Sequence, residues 1–563
     1  MPLMRAAAAQ CDIGTNLDEN LATCLRVIDL AAQERPDILV LPEFCNHLSW
    51  YRDRDHSYLV AVDLEGEFLR QIGERARQHG IYVMINCTIR RPKWGEGMVS
   101  GTNILFDCDG RQIAASDKQV LMGSENNFLT PAREVCPILA LPFARVGMYS
   151  CMDGVIYETP RGLALRGAQV LLNSLNSFAL DEASLHVPVR AAENQVFVVA
   201  ANKIGWLVPP ELAPMIAERV KVDPAHLQGA GESQIIAPDG RVLAKASHHG
   251  EAVICAEFDP AEADDKRRTD GTLTFAARRP ALYTPLWEKP TPRTWRESAN
   301  QVTVAVYQPK TRGQRALDET VFALSQDSSE PALIVLPELF FLPDLLENVD
   351  KALERTETAL ERLTQAIRRR ATLIALSVPA REGEMLIHQG VILDKNGILH
   401  RQPQIHQGGR HEWAQPSGSG IGYRDTSWGR IALVVGADTF FPESFRLAAL
   451  AQAEIVACPT RLVEGWESTT GLPERAAENR LNVIAASFPS AAGGSAIHAV
   501  GHDFTLWTEW ATRPFDGHIS RPITTRLEGE GGWLRGAVYP SAAHNRMVSQ
   551  KTDVVDGRPW WLG

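Results

Sequence analysis

The chain has 563 residues and a net charge of −11, with 57 basic and 68 acidic side chains. Single hydrophobic cores stop growing at roughly 250–300 residues, so two or more are expected. Acidic charge spread along the sequence leaves no electrostatic footprint for nucleic acid, and no apolar run reaches the roughly 18 residues that a membrane helix needs.

Read along the chain, MPLMRAAAAQCDIG lacks the long apolar segment and cleavage site of a signal peptide. A cytoplasmic location and small-molecule partners are therefore expected. RAAAAQ, ending in Gln10, reads as a short buried strand, and residues 17–34 and 64–79 carry helix-spaced apolar positions. DILVLPE, YVMINC, QVLLNS and VFVVAAN read as buried strands between such helices. This is α/β layering. FDCDGR, APDGR and LDKNG fit hairpin connections between strands.

The pattern then repeats. VTVAVYQ, ending in Gln308, matches the opening strand; PALIVLPEL matches PDILVLPEF and pairs Glu338 with Glu43; RIALVVGADTFFPE matches RVGMYSCMDGVIYE. Arg475 follows Arg190 by 285 residues, the same offset that separates Gly436 from Cys151. Each unit runs about 260 residues. The proline-rich, polar stretch before residue 300 is the natural linker. The expected organisation is one domain over 1–287, a linker over 288–300 and a second domain over 301–563.

Several residues bear chemistry. Glu43 closes an apolar run, where it is either a desolvated carboxylate with a raised pKa, suited to general base or acid work, or a strand-end glutamate that reaches solvent. Lys118 by itself reads as a surface lysine. Cys151, after VGMYS and before MDG, sits where a strand ends in a sharp turn, and is either an exposed nucleophile or a small buried apolar residue. Nine cysteines with no C-x-x-C pair and no close Cys/His cluster argue against a disulfide framework and a zinc site. No G-x-S-x-G elbow, P-loop or H-E-x-x-H occurs.

Taken together, LPEF with Glu43, DKQ with Lys118, ENNF with Glu125, YSCMDG with Cys151 and RAAEN closing on Asn194 resemble, in order and spacing, the carbon–nitrogen hydrolase (nitrilase) superfamily. The resemblance covers nearly all of residues 1–287. It implies two tandem α-β-β-α sandwiches, Cys151 as nucleophile, Glu43 as general base, Lys118 as the cation beside the oxyanion and Glu125 as a positioning carboxylate. It also implies hydrolysis of a non-peptide carbon–nitrogen bond through a cysteine thioester, without metal or organic cofactor. C-M-D is closer to the C-x-D of the amidase branches than to the C-W-E of nitrilases, so an amide-type substrate is expected; nitrile or hydrazide hydrolysis and acyl transfer remain the alternatives on this scaffold, and a non-catalytic binding protein leaves the co-occurrence of the motifs unexplained.

The second copy departs from the pattern. Gln404 stands for Lys118, the match to Glu125 falls near Arg410, and Gly436 replaces the nucleophile, so residues 301–563 are expected to be a degenerate copy with Asp438 and Glu443 as structural remnants. An intrachain pairing of the two copies, with further homo-oligomers possible, is the corresponding expectation. Trp50, Tyr51 and Arg52 follow Glu43 closely and suggest a pocket wall. Residues 205–231, a proline-bounded helical insertion, suggest a lid or pocket wall, with Trp206 or Met215 reaching toward substrate.

Overall fold

The computed structural model describes residues 3–343 and 348–562. It divides into two compact units: residues 1–265, 503–520 and 547–563 form unit 1, and residues 266–502 and 521–546 form unit 2. The units therefore differ from the repeats at their edges. Residues 266–287, expected in the first domain, fold with unit 2, and two late segments of the second copy fold with unit 1. The expected linker has little regular structure, yet it is anchored within unit 2: Arg296 donates to the carbonyl of Thr426 at 2.6 Å, and Trp295 stacks on His544.

Unit 1 holds two six-stranded sheets. In one, the strand order is Ala252–Phe258, Met4–Gln10, Ile38–Val40, Tyr82–Arg90, Val99–Phe106, Gln112–Asp117; in the other it is Val242–Lys245, Gln234–Ile236, Phe197–Ala201, Val170–Ser174, Arg145–Ser150, Leu139–Ala140. The sheets face each other, with helices Leu17–Ala32 and Glu67–His79 on the outside of the first and Glu158–Leu165 and Val187–Asn194 on the outside of the second. This is the α-β-β-α sandwich. The inner strands of both sheets are parallel and buried on both faces, which is why they read as continuous apolar runs rather than alternating ones.

Local chemistry sets the element ends. The Asn16 side chain accepts the N–H groups of Asp18 and Glu19, capping the first helix, whose Cys24, Val27, Ile28 and Ala31 face the core. Helix Glu67–His79 stops at Gly80, whose φ of 65° is the left-handed conformation glycine adopts freely. Both CDG and APDGR form hairpin turns as expected, and DKNG does so in unit 2.

Unit 2 repeats the architecture. One sheet runs Gly397–Pro403, Met385–Asp394, Leu373–Glu382, Leu333–Val335, Val302–Gln308, Gly532–Val538; the other runs Tyr423–Asp425, Arg430–Leu433, Ile455–Pro459, Asn482–Ala486, Ala496–Ala499, Ile523–Arg526. Its inter-sheet core gathers Val304, Val306, Leu333, Ile431, Leu433 and Ile455, among others. No described helix is long and apolar enough to cross a membrane.

Candidate active site

In unit 1 the parallel strands of both sheets end near one another, and the chain turns sharply at each end. Glu43 follows Ile38–Val40 and is tethered by its N–H to the carbonyl of Leu175 at 3.0 Å. Lys118 follows Gln112–Asp117. Cys151 caps the strand Arg145–Ser150 with φ 42° and ψ −105°, a left-handed-side conformation that costs a non-glycine residue on the order of 1–3 kcal/mol. Its N–H donates to the carbonyl of Ser174 at 2.9 Å and to Asn173 Oδ1 at 3.2 Å, which fixes the elbow.

The sequence-predicted residues meet. Lys118 Nζ lies 2.9 Å from Glu43 Oε1 and 2.9 Å from both oxygens of Glu125, and all three side chains are buried. Glu125 also accepts the N–H of Met122 at 2.8 Å. Neither oxygen of Glu43 receives a well-directed hydrogen bond from the described residues, so its contact with Lys118 is one of charge. Burial pushes the Glu43 carboxyl up to about 7 against the pull of Lys118. Burial also works to discharge Lys118, but Glu125 and Glu43 more than offset it and hold the ammonium well above the ordinary lysine range. For Cys151, burial and then the charge of Glu43 raise the thiol well above its usual value, with Lys118 opposing. Burial thus favours the protonated thiol, while the Glu43 carboxyl beside it titrates at about 7.

Cys151 and Glu125 line one cavity of about 470 Å3 together with Trp50 and Tyr51. Trp206 is not in that wall. It packs into a small core under its own segment with Val208, Ala213, Ala217 and Leu227, while Met215 points outward at 60% exposure. The insertion reaches the cavity through Leu207, Val208, Ile216, Arg219 and Leu227 instead. Two further lining residues carry buried oxygens that no described residue satisfies: Asn176 Oδ1 and Asp181 Oδ1.

Sequence reasoning missed the supports. Asn86 Nδ2 donates to Asn103 Oδ1 and Ser150 Oγ at 2.9 and 3.1 Å, Ser174 Oγ donates to Asn103 Oδ1 at 2.8 Å, and Asn86 Oδ1 accepts the N–H of Phe44 at 3.0 Å. This buried inter-sheet network joins the residue after Glu43 to the residue before Cys151. Lys203, fully buried, donates to the carbonyl of Phe44 at 3.1 Å and has its pKa lowered by that burial. Asp153 Oδ1 accepts the N–H groups of Gln119 and Val120, tying the nucleophile loop to the Lys118 segment. A polar residue inside an otherwise apolar strand, as in INC or LLNS, is the signal that would have found the network.

A family model described as carbon-nitrogen hydrolase matches residues 5–268 and again 300–501. The chain belongs to the carbon–nitrogen hydrolase family. Among its relatives, a nitrilase of Pyrococcus abyssi is 27% identical over 267 residues, 47% of this chain and 93% of the relative. The deaminated glutathione amidase of Mus musculus is 26% identical over 300 residues, 50% of this chain and 85% of the relative. A solved amidase structure from Nesterenkonia sp. AN1 aligns at 20% identity over 50% of this chain and 95% of its own, with a TM-score of 0.39.

The family fold in unit 2 presents the same positions differently filled. Gly436 keeps the positive φ of Cys151, at 55°, but a Cβ built there would lie 2.6 Å from Gln404 Oε1, 2.7 Å from Glu338 Oε1 and 2.9 Å from His388 Cε1. The three sequence-matched residues therefore converge, as their counterparts do. Arg410 Nη2 stands 3.2 Å from Glu338 Oε2, and His411 Nε2 stands 3.0 Å from Glu338 Oε1. Burial disfavours the Glu338 anion, yet Arg410 and His411 more than offset it and lower its pKa, whereas burial drives His388 down to about 4. Glu338, His388 and His411 bring potential metal-ligand atoms within 4.8 Å of one another, a grouping that chain spacing did not reveal. Arg410 already supplies the countercharge to Glu338 there. Asp438 accepts the N–H groups of Ile405 and His406, so the tie made by Asp153 persists. Glu443 pairs with Arg278 at 2.9 Å.

Proposed function

We propose that unit 1 hydrolyses an amide through a thioester on Cys151, and that unit 2 does not catalyse. The observation that carries the reading is the buried cluster of Glu43, Lys118 and Glu125, with 2.9 Å contacts, beside a neutral thiol on a strained elbow. Glu43 takes the thiol proton as sulfur attacks the carbonyl carbon, because a thiol is a weak nucleophile until a base removes its proton. The oxyanion that forms faces the Lys118 ammonium and the N–H of Met152, in the opening turn after the nucleophile. Protonated Glu43 then gives its proton to the departing nitrogen; the C–N bond breaks, ammonia or an amine leaves, and the acyl group stays on sulfur. Glu43 next takes a proton from water, whose oxygen attacks the thioester. Collapse of that intermediate breaks the C–S bond, releases the carboxylic acid and returns the proton to the thiol. The sum is amide plus water to acid plus amine.

Amide is preferred to nitrile on the tripeptide at the nucleophile, Cys151-Met152-Asp153, which is closer to the C-x-D of the amidase branches than to the C-W-E of nitrilases. The test is incubation of the full chain with a panel of primary amides, following ammonia and acid release, with mass analysis of the Cys151 peptide after rapid quench. An acyl mass on Cys151 and free acid without added amine are expected. Ammonia release unchanged in Cys151→Ala would overturn the reading, and product that forms only when an amine or hydroxylamine is added would make the reaction a transfer.

A further inference from the structure

The chemistry above needs only the few atoms around the scissile bond, whereas the cavity holding Cys151 encloses about 470 Å3. That is within the roughly 300–1,000 Å3 of pockets that take drug-sized ligands. Its charged and titratable lining is confined to Glu125, Asp181, Glu182, His186 and Arg219, with Glu125 held by Lys118 and Asp181 Oδ2 by the N–H groups of Ile519 and Ser520 at 2.5 and 2.8 Å. Arg219 is exposed. The body of the cavity is apolar, with Tyr51 and Phe128 on one side and Phe178, Leu506, Trp507 and Val548 on another.

Trp507 is the informative member. It stands at φ 64°, a conformation that a bulky side chain adopts only under constraint, and it remains 39% exposed. Neighbours hold it so. The N–H of Leu506 donates to the carbonyl of Val548 at 2.8 Å, the Phe178 ring meets the indole edge-on at 6.2 Å, and Phe515 backs Phe178 at 6.4 Å. The segment is pinned to the rest of unit 1 on either flank: at 517–520 by Leu180 and Asp181, and at Thr552 by the N–H of Gly123 at 2.8 Å. A strained, rigidly backed and incompletely buried indole in a cavity wall is apolar surface set aside for a ligand.

We infer that the substrate is an amide whose acyl group is bulky and apolar, and that residues 503–520 with 547–550 form the wall that selects it, Trp507 making the deciding contact. The inference rests on unit 1 acting on amides. Small aliphatic amides would leave most of the cavity lining wet, whereas an arylalkyl or medium-length alkyl chain would cover it and gain the corresponding hydrophobic free energy.

The experiment has two arms on the full chain. Equilibrium binding of propionamide and 4-phenylbutanamide to Cys151→Ala is compared by calorimetry, and kcat/KM for both amides is compared on the unsubstituted chain. A preference for 4-phenylbutanamide of at least tenfold is expected in both arms. Trp507→Ala, and the milder Trp507→Leu should the first fail to fold, are expected to shrink that preference at least fivefold, chiefly through KM. Equal binding of the two amides, or a preference untouched by either folded Trp507 variant, would overturn the inference while leaving amide hydrolysis standing. Selective binding without any product from the unsubstituted chain would overturn the proposed reaction and keep the assignment of the wall.

Discussion

Cys151 sits on a backbone that its side chain strains, and the strain is what aims the sulfur at the strand ends. Cys151→Ala is therefore expected to lower turnover by at least a thousandfold while leaving the melting temperature unchanged or slightly raised, which thermal denaturation beside an ammonia assay would check. In the proposed mechanism Glu43 acts only when ionised, and burial pushes its pKa up to about 7, above the 4.5 of an ordinary glutamate. Activity should accordingly climb tenfold per pH unit below about 7 and level off above it, seen in kcat/KM against pH. The sign for stability is opposite. A folded carboxyl with a raised pKa holds its proton better than the unfolded chain does, so its contribution is full below about 4.5 and is lost as pH rises through about 7. In unit 2, restoring the thiol is not enough. Gly436→Cys, made in the Cys151→Ala chain, should give no turnover and should destabilise by roughly 1–3 kcal/mol, because its Cβ meets Gln404, Glu338 and His388 inside 3.0 Å.

At the scale of elements, the strap over 503–520 depends on Asp181. This carboxylate, fully buried, accepts two backbone N–H groups, and hydrogen bonds to a charged acceptor contribute about 1.5–3 kcal/mol each. Asp181→Ala should free the strap: limited proteolysis is expected to cut within 503–520 of this variant well before the unsubstituted chain. Equal cleavage rates would show that the strap is held by its aromatic cluster alone. The insertion over 205–231 lines the cavity through Leu207, Val208 and Ile216, as the pocket wall expected there would, while its named contacts do not: Trp206 faces its own small core and Met215 faces outward. The reason is local. Trp206 lies in an isolated bridge with Gln228 and packs with Val208, Ala213, Ala217 and Leu227.

For the whole molecule, a fragment ending at residue 290 retains Glu43, Lys118, Glu125 and Cys151 but loses Leu506, Trp507, Ile519, Ser520, Val548 and Gln550 from the cavity wall. Such a fragment is expected to lose at least 90% of the activity of the full chain on apolar amides, measured as kcat/KM; a fully active fragment would remove the late segments from any role in catalysis. Glu43, Lys118, Glu125 and Cys151 were legible through the resemblance of LPEF, DKQ, ENNF and YSCMDG, in order and spacing, to one family; taken alone, Lys118 read as a surface lysine and Glu43 and Cys151 stayed open. Gly436 was legible as a replacement through its 285-residue offset, and Gln404 through its place in RQPQIH. The exchange of segments between units was not, because contacts such as Asp181 with Ile519 join residues more than 300 positions apart and leave no periodicity behind. Asn86, Asn103 and Ser174 were hidden for a related reason: their partners include side chains on the opposite sheet.

The order of the chain also has a tempo. About 400 residues separate Cys151 from Gln550, and at roughly 5–20 residues per second a ribosome needs about 20–80 s to deliver that interval. Glu43, Lys118, Glu125 and Cys151 all emerge, and their strands can pair, long before the wall that carries Trp507 exists. Until residue 506 is made, the growing chain holds every one of those four residues but none of the lining that Leu506, Trp507, Ile519, Ser520, Val548 and Gln550 contribute.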